Sequence, residues 1–310
     1  MEIDMYKIFD LHCDTVHRIG EAGLRSNPDA HVDLLRMKDA GYGLGTFAAF
    51  VDAGRTDDPY GNCLRYLDAL KREIAANDDL IAPVTTASDL AKNDVNGKMS
   101  ALLSVEEGGV IEDELSRIGE LYDLGVRMMT FTWNYDNDIS TSIRGTGEGG
   151  LTPFGRDFLS ELERVGMIAD VSHISDAGFY DVAALATRPF IASHSNARAV
   201  CDNGRNLTDD MIRILAGKGG IIGLNYCADF VGGDGGLLML CRHARELADC
   251  GGVECVALGG DLDGIETNPA IPDCAAVPHL AEALLDFGFT SREVDGIMGG
   301  NARRFFDENL

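Results

Sequence analysis

Apolar residues fall along this chain in two alternating patterns. Short apolar runs occupy residues 6–10, 44–51, 100–106, 126–133, 167–173, 190–194, 221–226 and 256–261. Several are nearly continuous, as expected of parallel strands buried on both faces. Between them the spacing becomes helical. Ile111, Leu115, Ile118, Leu121 and Leu124 share one face, and residues 64–70, 176–186, 208–215, 237–248 and 277–287 behave alike. Thr152-Pro153 opens a further helix carrying Phe154, Phe158 and Leu162. Gly125, Gly166, Gly217 and Gly288 stand where helices should stop.

Eight strand runs alternating with helices predict an α/β fold, a (β/α)8 TIM-type barrel. It would span residues 1–310 as a single domain with a short C-terminal helical tail. Such a barrel takes ~250 residues, which leaves room for loops. An open doubly wound sheet is the competing arrangement. The Gly-rich stretch 145–150 lacks a Gly-Lys-Ser/Thr phosphate signature and reads as a flexible loop at the site.

In a barrel the chemistry sits at the C-terminal strand ends. The first run ends in Asp10-Leu11-His12-Cys13-Asp14. Alternation along a strand points His12 and Asp14 the same way. The third run ends in Glu106-Glu107, the fifth in His173, the sixth in His194 and the eighth in Asp261-Leu262-Asp263. Any one strand-end histidine is more often structural. Three histidines, a glutamate and an aspartate on one rim point to metal. Catalytic zinc takes about three protein ligands plus water, so five candidates suit two ions sharing a carboxylate. The ligand mixture suits Zn²⁺, with Mn²⁺ or Co²⁺ as alternatives. His17, His31, His243 and His279 fall in loops or polar helix patterns and read as ordinary residues.

Composition narrows the partners. Lys and Arg number 26 against 51 Asp and Glu, a net charge of -25, which excludes a phosphate backbone. No run approaches the ~18 apolar residues of a membrane helix. The acidic Met1-Glu2-Ile3-Asp4 has no signal-peptide character, so no membrane association and a cytoplasmic location are expected. Eight cysteines without a Cys-x-x-Cys pair read as reduced thiols.

Several motifs, in order, carry a resemblance. They are Asp10-Leu11-His12-Cys13-Asp14-Thr15, Gly150-Leu151-Thr152-Pro153-Phe154-Gly155, Asp170-Val171-Ser172-His173, Ser193-His194-Ser195-Asn196-Ala197, Arg205-Asn206-Leu207-Thr208 and Gly259-Gly260-Asp261-Leu262-Asp263-Gly264. Together they resemble the membrane (renal) dipeptidase family of zinc metallopeptidases, which is amidohydrolase-like. The resemblance implies a metal-dependent hydrolase barrel that cleaves dipeptides, including those with a C-terminal D-residue. Two Zn²⁺ per chain would hold the attacking hydroxide. By motif, His12 and Asp14 would bind one ion and His173 and His194 the other, with Glu106 shared. Glu107 is the alternative, since the family pattern has a single glutamate there; an ungapped count selects Glu106. Arg205 resembles the residue that holds the substrate carboxylate, and Asp261 the acid–base residue, with Asp263 second. Trp133 stands where mammalian members have a histidine and would contact substrate. The implied partner is a dipeptide; a homodimer is the assembly to test. The chain lacks the export and anchoring signals of mammalian members and so resembles an intracellular bacterial-type relative. Two other readings keep the metals: cleavage of N-acyl amino acids or lactones, and a metal-binding relative that has lost catalysis.

Overall fold

Strand runs bounded by capped helices fold here into a parallel α/β sheet. The computed structural model describes residues 6–146 and 148–310. Its strands are β1 (Ile8–Cys13), β2 (Tyr42–Phe50), β3 (Ile81–Pro83), β4 (Met99–Glu106), β5 (Val126–Thr130), β6 (Ile168–Asp170), β7 (Ile222–Leu224) and β8 (Val256–Leu258). They form one curled sheet in the order β6-β5-β4-β2-β1-β8-β7, with β3 against β4. Gly147 and the acidic residues 1–4 lie outside the described residues.

Two strands differ from expectation. β3 is three residues ending in proline, too short to show alternation. Residues 190–194 form no ladder; single bridges join Asp170 to Ile191 and Ala192 to Ile222, crossing the gap between β6 and β7. The reason is close packing. A Cβ on Gly223 would lie 1.9 Å from the Ser193 carbonyl oxygen, and one on Gly259 only 1.7 Å. Two glycines thus let this carbonyl sit between β7 and β8, off the regular pleat. Strand structure also stops early, at Thr130, Asp170, Leu224 and Leu258, where the loops of the candidate site begin.

The core has two layers. Inside the sheet, Phe9, Leu11, Leu44, Leu102, Met128, Ile168, Ile191, Ile221 and Ala257 pack with Ala302, Phe305 and Phe306. Those last three belong to the helix Asn301–Asn309. The expected tail is therefore a plug across the N-terminal strand ends. It leaves the opposite end open. A larger apolar cluster fills the space between sheet and outer helices.

The helices follow their caps. Helix Pro153–Val165 starts where Thr152 accepts from the Gly155 N–H, and Gly166 ends it at φ 92°. Gly217 is not a stop. It closes helix Asp209–Gly217 from within, and Gly219, at φ 80°, makes the left-handed turn. The eight cysteines are unpaired. Among the described residues no helix is long and apolar enough to cross a membrane.

The Ser193 seat makes a test of how packing holds His194. Gly259→Ala should destabilise the protein by ~1–3 kcal/mol or more, because the clash is with backbone. It should also shift His194 and lower metal retention. Thermal unfolding and elemental analysis read the two effects; an unchanged melting temperature would show that the seat has slack.

Candidate metal centre

Asp10 and Asp170 organise the strand ends. Asp10 Oδ1 accepts from the N–H of His12, two residues on, at 3.1 Å and from that of Gly260 at 2.9 Å. Asp170 Oδ1 does the same for Ser172 at 3.0 Å and Ser193 at 2.9 Å. Each carboxylate ties its own strand end to a neighbouring segment. His12, His173 and His194 are thereby presented from three places on one rim.

The expected donor residues meet there. Glu106 Oε2 lies 3.3 Å from His12 Nε2, and Glu106 Oε1 lies 3.0 Å from His173 Nε2 and 3.9 Å from His194 Nε2. Asp14 Oδ2 is 3.5 Å and Asp261 Oδ1 3.9 Å from His12 Nε2. The groups interlock: His12, Glu106 and His194 converge as one trio, and His12, Asp14 and Asp261 as another.

The histidines are oriented from behind. Ser193 Oγ donates to Asp170 Oδ2 at 2.5 Å and so accepts from His194 Nδ1–H at 2.7 Å. His173 Nδ1–H donates to Asn134 Oδ1 at 3.0 Å. Burial, then the charges of nearby His12 and Arg205, hold both rings neutral, well below the usual imidazole range. With Nδ1 protonated in each, both Nε2 lone pairs face one another at 2.9 Å. Two lone pairs in that position call for a cation.

Charge balance points the same way. Burial, then the Asp14 carboxylate, pushes Glu106 up to about 8. Burial pushes Asp261 up to about 6 against the pull of His12. Burial disfavours a charged His12, yet Glu106 and Asp14 hold it well above the ordinary value. Both nitrogens of His12 and Asp14 Oδ1 are buried with no hydrogen-bond partner among the described residues. A buried cluster of carboxylates and lone pairs with orphaned donor atoms fits metal ions and is destabilised without positive charge.

The alternative residues sit differently. Glu107 turns away at φ 81°. Its Oε1 accepts from Gly109 N–H at 2.7 Å and Asn137 Nδ2 at 2.6 Å, and its Oε2 from Trp133 N–H at 2.7 Å. Asp263 also has both oxygens engaged, by Thr15 Oγ at 2.8 Å and the His31 N–H at 2.6 Å. Asp261, by contrast, keeps Oδ1 toward the cluster while Asn225 Nδ2 donates to Oδ2 at 3.0 Å.

A cavity of about 510 Å³ opens above the cluster. Asp14, Glu106, His173 and Asp261 line its floor side, with Trp133, Phe50, Phe230 and Arg144 among its walls. Trp133 stands beyond β5, its ring 4.7 Å from that of Phe50. Arg205 is buried, donates from Nη2 to the His194 carbonyl at 3.2 Å and leaves Nε unpartnered. Its Cζ lies 5.3 Å from the Phe230 ring centre, and it is not among the residues that line this cavity. The loop expected to be flexible is tied in its described part: the Gly149 carbonyl accepts from Thr141 Oγ at 2.5 Å and Ser175 Oγ at 2.7 Å.

The sequence motifs do not mark several residues that hydrogen-bond to the donor groups. Asp170, Ser193, Asn134 and Asn225 orient the donor groups, and only Asp170 had a signal: it repeats the Asp-x-polar strand end of Asp10. His17 also lines the cavity, and its Nε2 lies 3.1 Å from the Phe50 carbonyl. His31 locks Asp263. His243, fully buried, is structural, with Nδ1 accepting from Ala197 N–H and Nε2 donating to the Val231 carbonyl.

Comparison with known proteins places the whole chain beside dipeptidases and metallo peptidases. The structure of a metallo peptidase titled dipeptidase AC superposes with a TM-score of 0.92 at 26% identity, covering 99% of each chain. A metallo peptidase from Rhodobacter sphaeroides, liganded with a phosphinate mimic of the dipeptide L-Ala-D-Ala, gives 0.91 at 25%, covering 99% of this chain and 100% of that one. Mouse dipeptidase 3 is 30% identical over 304 residues, which is 94% of this chain and 60% of that protein. An uncharacterized dipeptidase of Schizosaccharomyces pombe is 27% identical over 329 residues, 96% of this chain and 79% of its own length. The chain thus spans about three-fifths of the mouse relative. The model of the membrane dipeptidase family, peptidase family M19, matches residues 3–309, and the chain belongs to that family.

Proposed function

We propose that the protein is a dipeptidase dependent on two zinc ions, built on a (β/α)8 barrel. The observation that carries this reading is Glu106, whose two carboxylate oxygens face different imidazoles, 3.3 Å from His12 and 3.0 Å from His173. His12 and Asp14 would hold one ion, His173 and His194 the other, and Glu106 both. Bound there, the metal would activate water and polarise the scissile carbonyl.

The chain's own groups do the rest. Arg205 would fix the substrate's C-terminal carboxylate, since it is buried, close to the cluster and short of a partner at Nε. Asp261 would take a proton at Oδ1 and deliver it to the leaving amine. Its carboxyl, raised to about 6, is near the range suited to such transfer, and Asn225 fixes its other oxygen. Trp133 and Phe50 would form an apolar wall beside the reacting carbonyl. The ligand of the Rhodobacter relative mimics a dipeptide with a C-terminal D-residue; we extend tolerance of such substrates to this chain.

Protein purified without chelator should carry about two zinc ions and hydrolyse free dipeptides. Amidating the C-terminus should lower kcat/KM by ~10-fold or more, because a buried cation loses a charged partner. Turnover of N-acyl amino acids or lactones in place of dipeptides, or of a dipeptide and its amide alike, would overturn the assignment.

The two glutamates should separate cleanly. Glu106→Gln should abolish activity and lower metal content. Glu107→Gln should keep the metal but lose ~1–3 kcal/mol of stability, because one amide hydrogen must face a backbone or side-chain donor. Elemental analysis and thermal melts on both variants test this, and the reverse pattern would reassign the shared ligand. Trp133→Phe should retain metal and reduce kcat by less than the ~10²-fold loss typical of an oxyanion donor. A lower melting temperature with intact kinetics would make Trp133 a packing residue alone.

A further inference from the structure

The cavity carries a cation that the chemistry above does not use. Arg144 lines the same space as Glu106, His173 and Asp261, and it is exposed. Its guanidinium makes no hydrogen bond or ion pair with a described residue; its Cζ lies 5.5 Å from the centre of the Phe230 ring. The Arg205 Cζ lies 5.3 Å from that same ring. Two guanidiniums therefore flank one aromatic side chain, Arg205 buried and Arg144 at the cavity wall.

The turn under Arg144 is fastened to the site. Asp136 accepts from Ser142 N–H at 2.8 Å and Thr146 N–H at 3.1 Å. The Ile143 N–H donates to the His173 carbonyl at 2.9 Å, and Ser142 Oγ donates to the Trp133 carbonyl at 2.5 Å. A long side chain on a fixed base searches a limited volume, and part of that volume is the cavity that Arg144 lines. In a chain with 51 acidic residues, an arginine left without a carboxylate at a substrate site is free to take one from the substrate.

We propose that Arg144 is a specificity residue that binds a side-chain carboxylate on the C-terminal residue of the substrate. Dipeptides ending in aspartate or glutamate are then preferred. The proposal rests on the dipeptidase reading and deepens it. With the main-chain carboxylate on Arg205, the side chain of that residue lies along Phe230, within reach of the second guanidinium. An acidic residue brings two carboxylates to two cations. A neutral one leaves Arg144 in water, and a basic one meets like charge.

The test compares kcat/KM of the zinc-loaded protein for Ala–Glu, Ala–Gln and Ala–Lys, with the C-terminal residue in L and D forms. Glutamate should exceed glutamine by ~10-fold or more, as a charge-assisted pair predicts. The ratio should shrink with added salt. Arg144→Gln should bring it near one, and Arg144→Glu should shift preference toward lysine. A wild-type ratio near one overturns the proposal. So does an Arg144→Gln loss equal on all three substrates, which would give Arg144 the main-chain carboxylate instead. If no dipeptide is cleaved, the dipeptidase reading fails, and calorimetric binding of the same three dipeptides decides the role of Arg144. Tighter binding of Ala–Glu than Ala–Gln by wild type alone supports it; equal binding overturns it.

Discussion

Glu106 sits wholly inside the protein with imidazoles on both sides, and the remainder of the rim is arranged around that fact. A buried carboxylate is tolerated only with compensation. Here the nearest neighbours include two more carboxylates, Asp14 and Asp261, and two rings that burial keeps neutral. Among the groups within 4 Å of these carboxylates, only His12 favours a positive charge. The protein's own groups therefore leave the centre negative and rich in lone pairs. Such an imbalance favours a cation, as expected of a metallopeptidase family. The fold's task is to hold these mutually repelling groups together.

That task falls on the strand ends. Asp10 and Asp170 each accept two backbone N–H groups, one from two residues on and one from a neighbouring segment. Paired backbone donors are strong restraints, and each connects segments far apart in sequence. At the other end of the sheet, Phe305 and Phe306 fill the interior beneath one apolar residue after another. The closed end supplies cohesion and the open end supplies polarity. Gly223 and Gly259 let residues 190–194 fit between the end strands, which brings His194 to the same rim.

Much of this was legible in the residues. The short apolar runs and helical faces give the α/β alternation, and strand-end His12, His173 and His194 mark the rim. What escaped has identifiable causes. β3 is too short to alternate. Residues 190–194 read as a strand because burial makes them apolar, yet their carbonyl at Ser193 is held by glycines instead of a ladder. Glu106 and Glu107 are indistinguishable by type and differ only in direction: one ends β4 facing the histidines, and the other turns at positive φ into backbone donors. Asn134, Ser193 and Asn225 are common polar residues whose meaning lies in partners distant along the chain. Arg144 gave no signal because its neighbourhood is made by folding.

Backbone strain collects where these constraints meet. Among the described residues six non-glycines have positive φ: Glu107, Glu112, Asp113, His173, Asp261 and Asp263. Four of them are at or beside the candidate centre. A left-handed residue other than glycine costs about 1–2 kcal/mol, somewhat less for aspartate. His173 at φ 70° and Asp261 at φ 58° hold that conformation because their surroundings fix them: Ile143 N–H on the His173 carbonyl, the His12 carbonyl on the Asp261 N–H. In an extended conformation each strand would simply continue past its last ladder residue, and its side chains would alternate out of the cavity. The left-handed turn instead ends the strand and redirects the side chain inward. Strain at these positions is thus the geometric condition for bringing imidazoles and carboxylates from separate strands onto one point.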